Sequence, residues 1–233
     1  MDERELAAAI RPIYIHCPRT ALVCVEQTHN VAGGRVMPMA ELQAVSRISR
    51  EARIPVHMDG ARLFNAVVAS GIPAARWAGE VDSVAICLSK GLGAPVGSLV
   101  AGDRAFVERA TLVRKRLGGW MRQAGFLAAA GLHALEHNVE RLAEDHALAR
   151  DLAQRLARLP GLSVDAESVV TNLVMVDVVR EDLDAAALSR ALAEHGVLVL
   201  PFGPRTLRFV THLDVNRADV ERLERALVAV LGR

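Results

Sequence analysis

The sequence predicts an α/β protein, with a mainly parallel sheet and covering helices ahead of a small α+β domain. Three observations predict it. Short, near-continuous apolar runs alternate with helix-spaced segments through the first half of the chain. Apolar residues then repeat every three or four positions from Leu127 to Leu159, stopping at Pro160-Gly161. A compact succession of strand and helix patterns fills the remainder. With 233 residues, 52% of them hydrophobic, the chain can bury a substantial core.

MDERELAAAIRP reads as the interior of a helix, with Met1 as an accidental or internal start. Leu22–Glu26 (LVCVE) reads as a buried strand, and Thr28–Arg35 (THNVAGGR) as a turn-rich loop. Pro38 sits where helices accept proline, and Met39, Leu42, Val45 and Ser49 keep helical spacing to about Arg53. Further strands are expected at Pro55–Met58, Val84–Leu88 and Gly97–Ala101, in a parallel sheet covered on both faces. The Leu127–Leu159 pattern makes one long helix or two. Then come a strand at Val169–Val178, a helix at Asp184–His195 stopped by Gly196, strands at Val197–Leu200 and Thr206–Thr211, and a last helix to Leu231. This βαββα order predicts a small domain over residues 127–233, joined by its connecting helix to a large domain over residues 1–126.

Lys+Arg 28 against Asp+Glu 27 gives a net charge of +1, which offers no electrostatic case for a nucleic-acid partner. Cys17, Cys24 and Cys87 form no CxxC pair, and an odd count argues for reduced thiols in the cytoplasm. No run resembles a signal peptide, and none approaches the ~20 apolar residues of a membrane span. His133-Ala-Leu-Glu136-His137 fits the H-x-x-E-H spacing of an inverted zinc-protease motif. It lies in an Ala/Leu-rich packing helix with no further ligand, so no metal is expected. Gly91, Gly93 and Gly97 miss the G-x-G-x-x-G spacing by one residue.

The strongest constellation is HMDGAR (His57–Arg62) followed by SKGLGAPVG (Ser89–Gly97). Asp59 ends one strand, and Lys90 ends another 31 residues later, with glycines directly behind it. Lys90 and Lys115 are the only lysines in the chain. A lysine at a strand end amid small residues is placed to form a Schiff base. Pyridoxal phosphate chemistry needs such a lysine, together with a carboxylate on the pyridine nitrogen. The plainer alternative is a surface lysine after a strand, with Asp59 as a helix N-cap.

EQTHNVAGGRVMP (Glu26–Pro38), PVHMDGARLFNA (Pro55–Ala66), CLSKGLGAPVGS (Cys87–Ser98), RKRLGGWMRQAG (Arg114–Gly125) and LRFVTHLDV (Leu207–Val215) resemble consecutive blocks of the threonine aldolase family, in family order. The resemblance implies a pyridoxal-phosphate enzyme of the aspartate-aminotransferase-like fold, whose large domain here is incomplete. It implies Lys90 as the Schiff-base lysine, Asp59 on the pyridine nitrogen and Arg62 on the phenolic oxygen. Arg122 and Ser89 would contact the cofactor phosphate. Arg208 would bind the substrate carboxylate, a bidentate task suited to guanidinium, although a nearby acid is its plainer partner. His16, in IHCPRT, matches a histidine near the substrate hydroxyl, where it would act as base; its plainer reading is a loop histidine capping a strand.

The resemblance also implies a segment ahead of IHCPRT, about a third of the usual family chain. In the family, that segment carries a phosphate-cradling loop, a histidine stacked on the pyridine ring and strands of the main sheet. Trp120 stands where the family runs Gly-Gly-Gly, and Gln27 stands for its usual asparagine. The expected activity is cleavage of threonine, allo-threonine or related β-hydroxy-α-amino acids to glycine and an aldehyde, by a homodimer or homotetramer. Two alternatives stay open: a non-catalytic fragment that serves only as a subunit-binding module, and a different β-eliminating pyridoxal-phosphate lyase.

Overall fold

A computed structural model describes residues 3–232; Met1 and Asp2, and with them the reading of Met1 as an internal start, lie outside the described residues, as does Arg233. The chain divides into two compact units. The first takes the described residues up to Thr28 together with Val36–Val139, and the second takes His29–Arg35 and the residues from Glu140 onward.

The first unit contains α1 (Glu3–Ala9), β1 (Val23–Glu26), α2 (Met39–Glu51), β2 (Val56–Gly60), α3 (Leu63–Ser70), α4 (Ala74–Ala78), β3 (Ser83–Cys87), β4 (Ser98–Gly102), α5 (Arg104–Arg116) and α6 (Gly125–His137). Its sheet runs in the order β1-β2-β3-β4. The first three strands are parallel, with Glu26, Asp59 and Ala85 in one row. Val23, Val25, Val56, Met58 and Val84 share a buried face with Leu42, Val45, Leu63 and Trp77. The Trp77 indole nitrogen donates to Ile72 O at 3.2 Å, so this large side chain is buried without an unpaired polar atom.

Two expectations for this sheet are corrected. The fourth strand is antiparallel to β3, because an apolar run reports burial and not direction. The sheet is also well buried on one face only, with Ser83 buried on the other. Cys24 and Asp59 on the opposite face are exposed, His57 and Cys87 are half-buried, and β4 is exposed along its whole length. α5 likewise buries none of its residues.

The long helical pattern breaks at 138–141 into α6 and α7 (Leu142–Leu156), the latter in the second unit. That unit continues with β5 (Leu162–Ser163), a 3-10 turn at Ala166–Ser168, β6 (Leu173–Val178), α8 (Ala185–Glu194), β7 (Thr206–Val210) and α9 (Arg217–Leu231). The sheet β5-β6-β7 is antiparallel throughout. Leu152, Leu156, Val174, Val176, Leu188, Leu192, Leu207, Leu223 and Leu227 form its core. Asp184 caps α8 by accepting from Ala187 N, and Asn216 with Asp219 makes a reciprocal capping box on α9.

The strand expected at Val169–Val178 begins only at Leu173, since residues 169–172, between the 3-10 turn and β6, pair with no strand. The strand expected at Val197–Leu200 is absent, and so is the βαββα order. Val197 and Val199 pack on the core while Leu198 and Leu200 point outward, 88% and 84% exposed. The alternation is that of a strand, but residues 197–200 join no ladder, and the chain meets β7 just beyond them, at the isolated bridge Pro201–Leu207.

α7 buries two titratable groups side by side. Asp145 receives two bonds from Arg141, at 2.7 and 3.3 Å; burial pushes its carboxyl upward, and Arg141 opposes that shift. His146 is pushed down to about 4, by burial first and by the Arg150 charge second. Above its ordinary value near 6.5, His146 is neutral whether the chain is folded or unfolded. As pH falls from there towards about 4, the unfolded chain takes up a proton that the folded chain refuses, so stability is lost. The raised Asp145 carboxyl acts in the opposite sense, because the folded state protonates it first. The urea midpoint followed by far-UV circular dichroism is expected to fall between about pH 7 and about pH 4.5. His146→Leu is expected to flatten that fall, and an unchanged pH profile in the variant would rule out His146 as its source.

Candidate active site

Parallel pairing brings the carboxyl ends of β1, β2 and β3 to one edge of the first sheet, the edge where α/β sheets gather chemistry. Gln27 follows β1 and is buried. Its amide oxygen accepts from Met37 N at 3.0 Å and its amide nitrogen donates to Met37 O at 3.1 Å. Its side-chain amide thus copies a strand partner and ties β1 to the entry of α2. Asp59 lies near the end of β2, exposed, with Oδ1 accepting from Ala61 N at 3.0 Å. It is not a helix N-cap: Arg62, half-buried, occupies that position on α3.

Lys90 stands three residues beyond the end of β3, in a loop closed by its own backbone. Gly93 N donates to Lys90 O at 2.9 Å, Ala94 N to Leu88 O at 3.0 Å, and Leu88 N to Gly97 O at 2.9 Å. Gly93 has φ +71°, a conformation that glycine adopts without strain. Leu88, Leu92 and Ala94 anchor the loop in the interior, while Ser89 and Lys90 are exposed. Ser89 Oγ lies 3.2 Å from Cys87 Sγ. Among the described residues the Lys90 ammonium has no ion pair or hydrogen bond. The same holds for the exposed guanidinium of Arg122.

His16 is exposed on the tight turn Tyr14–Cys17, its ring edge-on to Tyr14 at 5.3 Å. Trp120 lies under Arg114, whose guanidinium carbon is 5.0 Å from the ring centroid. His133 and His137 are one turn apart on α6, ring centroids 4.5 Å apart, and the described residues contain no group of three or more metal-ligating side chains.

Arg208 belongs to the second unit. β7 turns Leu207 into the core, and the half-buried Arg208 is its neighbour on the opposite face. Arg208 Nη1 donates to Asn30 Oδ1 at 2.7 Å, and its guanidinium carbon lies 4.8 Å from the Phe202 ring centroid. Its Nε is buried without an acceptor, and among the described residues no acid pairs with it. Asn30 is carried by a loop that closes on itself through His29 N to Arg35 O and Gly34 N to His29 O, at 3.0 and 2.9 Å. Gly34 has φ +77°, its carbonyl accepts from Thr171 Oγ1, and a Cβ there would collide with that hydroxyl. The two glycines of the THNVAGGR turn therefore follow from close packing as well as from turn chemistry.

Sequence reasoning missed Asn138. Its amide donates to Leu92 O at 2.7 Å, from the residue that caps α6 to the loop carrying Lys90. An asparagine at a helix end reads as a cap, and no local signal points to a partner 46 residues earlier.

Residues 1–181 match the model of a family described as beta-eliminating lyase. The chain is similar to Low-specificity L-threonine aldolase 1 of Arabidopsis thaliana, with 41% identity over 225 residues, covering 94% of this chain and 62% of that protein. It is 43% identical over 229 residues to the low specificity L-threonine aldolase of Escherichia coli K12, covering 98% of this chain and 66% of that protein. The chain thus spans about three fifths to two thirds of these relatives' length. A solved structure of Thermus thermophilus aspartate aminotransferase matches with a TM-score of 0.75 at 18% identity, covering 99% of this chain and 60% of that one. At that identity the likeness is one of fold alone, and it is the fold that the resemblance implied. No helix among the described residues is long and apolar enough to cross a membrane.

Asn138→Ala leaves the Leu92 carbonyl without its partner and is expected to cost about 1–3 kcal/mol of stability. It should also speed amide exchange at Gly93 and Ala94; unchanged protection at those two amides would show that the loop holds without Asn138.

Proposed function

The chain belongs to the beta-eliminating lyase family, and from that premise we propose that it carries the lysine-bearing part of a pyridoxal-phosphate-dependent aldehyde-lyase. Its substrate would be threonine, allo-threonine or a related β-hydroxy-α-amino acid, and its products glycine and an aldehyde. The observation that carries the reading is Lys90, an exposed amine without an ionic partner among the described residues, held on a glycine turn beyond the carboxyl edge of a parallel sheet.

The donor set suits that cofactor. Lys90 supplies the amine that would hold it covalently, and Asp59, at the end of the adjacent strand, a carboxylate for its pyridine nitrogen. Arg62 would face its phenolic oxygen, and Ser89 with Arg122 its phosphate. When bound, pyridoxal phosphate supplies the electron sink that makes breakage of a Cα–Cβ bond accessible. The chain's own residues do the rest. Arg208 would clamp the substrate carboxylate through two parallel hydrogen bonds, fixing which bond at Cα is aligned for cleavage. His16 would take the proton from the β-hydroxyl, directly or through one water. Asp59, as an anion, would keep the pyridine nitrogen protonated. A homodimer or homotetramer is the assembly proposed with this activity, in the cytoplasm.

Titrating the purified 233-residue chain with pyridoxal phosphate is expected to give a saturable visible absorption band that Lys90→Ala abolishes. Product analysis then separates two chemistries. Glycine plus an aldehyde marks aldol cleavage, whereas ammonia plus a keto acid marks β-elimination, the reading favoured by the name of the matched family. A folded protein that gives no specific band would overturn the catalytic reading and favour a subunit-binding module.

A further inference from the structure

We propose that residues 197–200 form a strap that closes onto the outer edge of β7 as a fourth strand of the second sheet, sealing the cleft between them. The strap and its partner lie wholly within the second unit, and the inference does not depend on the function proposed above.

β7 ends the sheet order β5-β6-β7, so among the described residues its outer edge pairs with no strand. The direction of its backbone groups follows from the bonds around it. Val178 N donates to Arg205 O and Thr211 N to Asn172 O, at 2.7 and 3.0 Å, which turns the odd-numbered residues of this stretch towards β6. Thr206 faces the other way, its carbonyl accepting from Phe202 N and Gly203 N at 2.8 and 3.1 Å. Arg208 and Val210 share that direction, so their N–H and C=O groups stand at the outer edge.

The strap has the complementary alternation. Val197 N donates to Leu192 O at 3.0 Å, and the Val199 carbonyl accepts from Ser189 Oγ, so both residues direct their backbone groups towards α8. Leu198 and Leu200 alternate with them, and among the described residues their N–H groups donate to no protein acceptor. Counting outward from the bridge Pro201–Leu207 sets Leu200 against Arg208, Val199 against Phe209 and Leu198 against Val210. In that register, the residues whose backbone groups face the gap meet one another. The side chains agree independently. Val199 and Phe209 both pack on the core, whereas the exposed Leu198 and Leu200 would join Met175 and Arg208 on the opposite face. A shift of one residue breaks both matches. Pro201 falls at a position where the ladder asks for no N–H.

The two edges are separated by a cleft of about 580 Å³, whose walls include Val197, Val199, Phe209, Val210, Val220 and Leu223. Closing removes this apolar surface from water. Both ends of the strap are already tied, at Val197 N and at the turn onto Thr206, so only the residues between them are left to order and little loop entropy is lost. The closed strap would extend the row of Met175 and Arg208 by Leu200.

The test uses the full chain, ¹³C- and ¹⁵N-labelled, without ligand. Closure is expected to give a nuclear Overhauser contact between the Hα atoms of Val199 and Phe209, the pair that lies between two hydrogen-bonded rows. The amides of Leu198, Leu200 and Val210 should exchange at least about tenfold more slowly than in an unprotected chain. Leu198→Pro removes one donor and should erase both signals while the other strands of the second unit keep their amide protection. Leu198→Thr keeps the donor and should retain both. Absence of the Val199–Phe209 contact in the parent chain would overturn the proposal. So would a contact from Val199 Hα to Arg208 or Val210 Hα, which marks another register, or amide protection that survives Leu198→Pro.

Discussion

The parallel register of β1, β2 and β3 is the constraint on which the arrangement of the first unit depends. Only parallel strands deliver their carboxyl ends to one edge, and here those ends lead into Gln27, Asp59 and the loop bearing Lys90. Side chains alternate along a strand, so a slip of one residue in β2 would exchange Asp59 for Met58 or Gly60. The buried set of Val23, Val25, Val56, Met58 and Val84 holds the register, because a one-residue slip of a strand would turn its apolar side chains out into water. The apolar face therefore decides which polar groups meet at the edge. Backbone closure of the loop after β3 adds what pairing cannot, a defined departure for the chain at Lys90.

The second unit solves a similar problem with antiparallel strands. β7 places Leu207 in the core and Arg208 on the other side, so packing on one face orients a charge on the other. The hairpin-like loop before β7 contributes Phe202, and a distant loop contributes Asn30. An arginine in this setting is restrained at its backbone by the ladder, on one ring face by an aromatic and at one terminal nitrogen by an amide. Long side chains lose much conformational entropy when they are ordered, and here the fold itself does that ordering.

Much of this was legible in the residues, and what was not has identifiable causes. β1, β2, β3, α2, α8 and α9 carry strong periodicity with proline, aspartate or glycine at their ends, and the sequence locates them to within a few residues. The direction of β4 was not legible, since an apolar run is blind to its neighbour's sense. Val197–Leu200 has the alternation of a strand, but a strand is a relation between two segments, and its pairing partner is lacking over most of its length. Around the candidate residues, identity and order were readable for Asp59, Lys90 and Arg208, because their motifs are local. The groups that hold them were not: Asn138 reaches Leu92 and Asn30 reaches Arg208 through single hydrogen bonds across long sequence separations. Such partners leave no periodic trace.

Trp77 sits sealed in the first core with its indole nitrogen paired, and Trp120 lies half-exposed beneath Arg114. These are the only tryptophans in the chain, and the single tyrosine, Tyr14, belongs to the same unit. The second unit is thus nearly dark to near-ultraviolet light. Intrinsic emission follows the lysine-bearing unit alone, with one buried chromophore and one quenchable by solutes, while backbone ellipticity follows both. Any difference between the two signals as the chain unfolds is a direct reading of how far the halves melt independently.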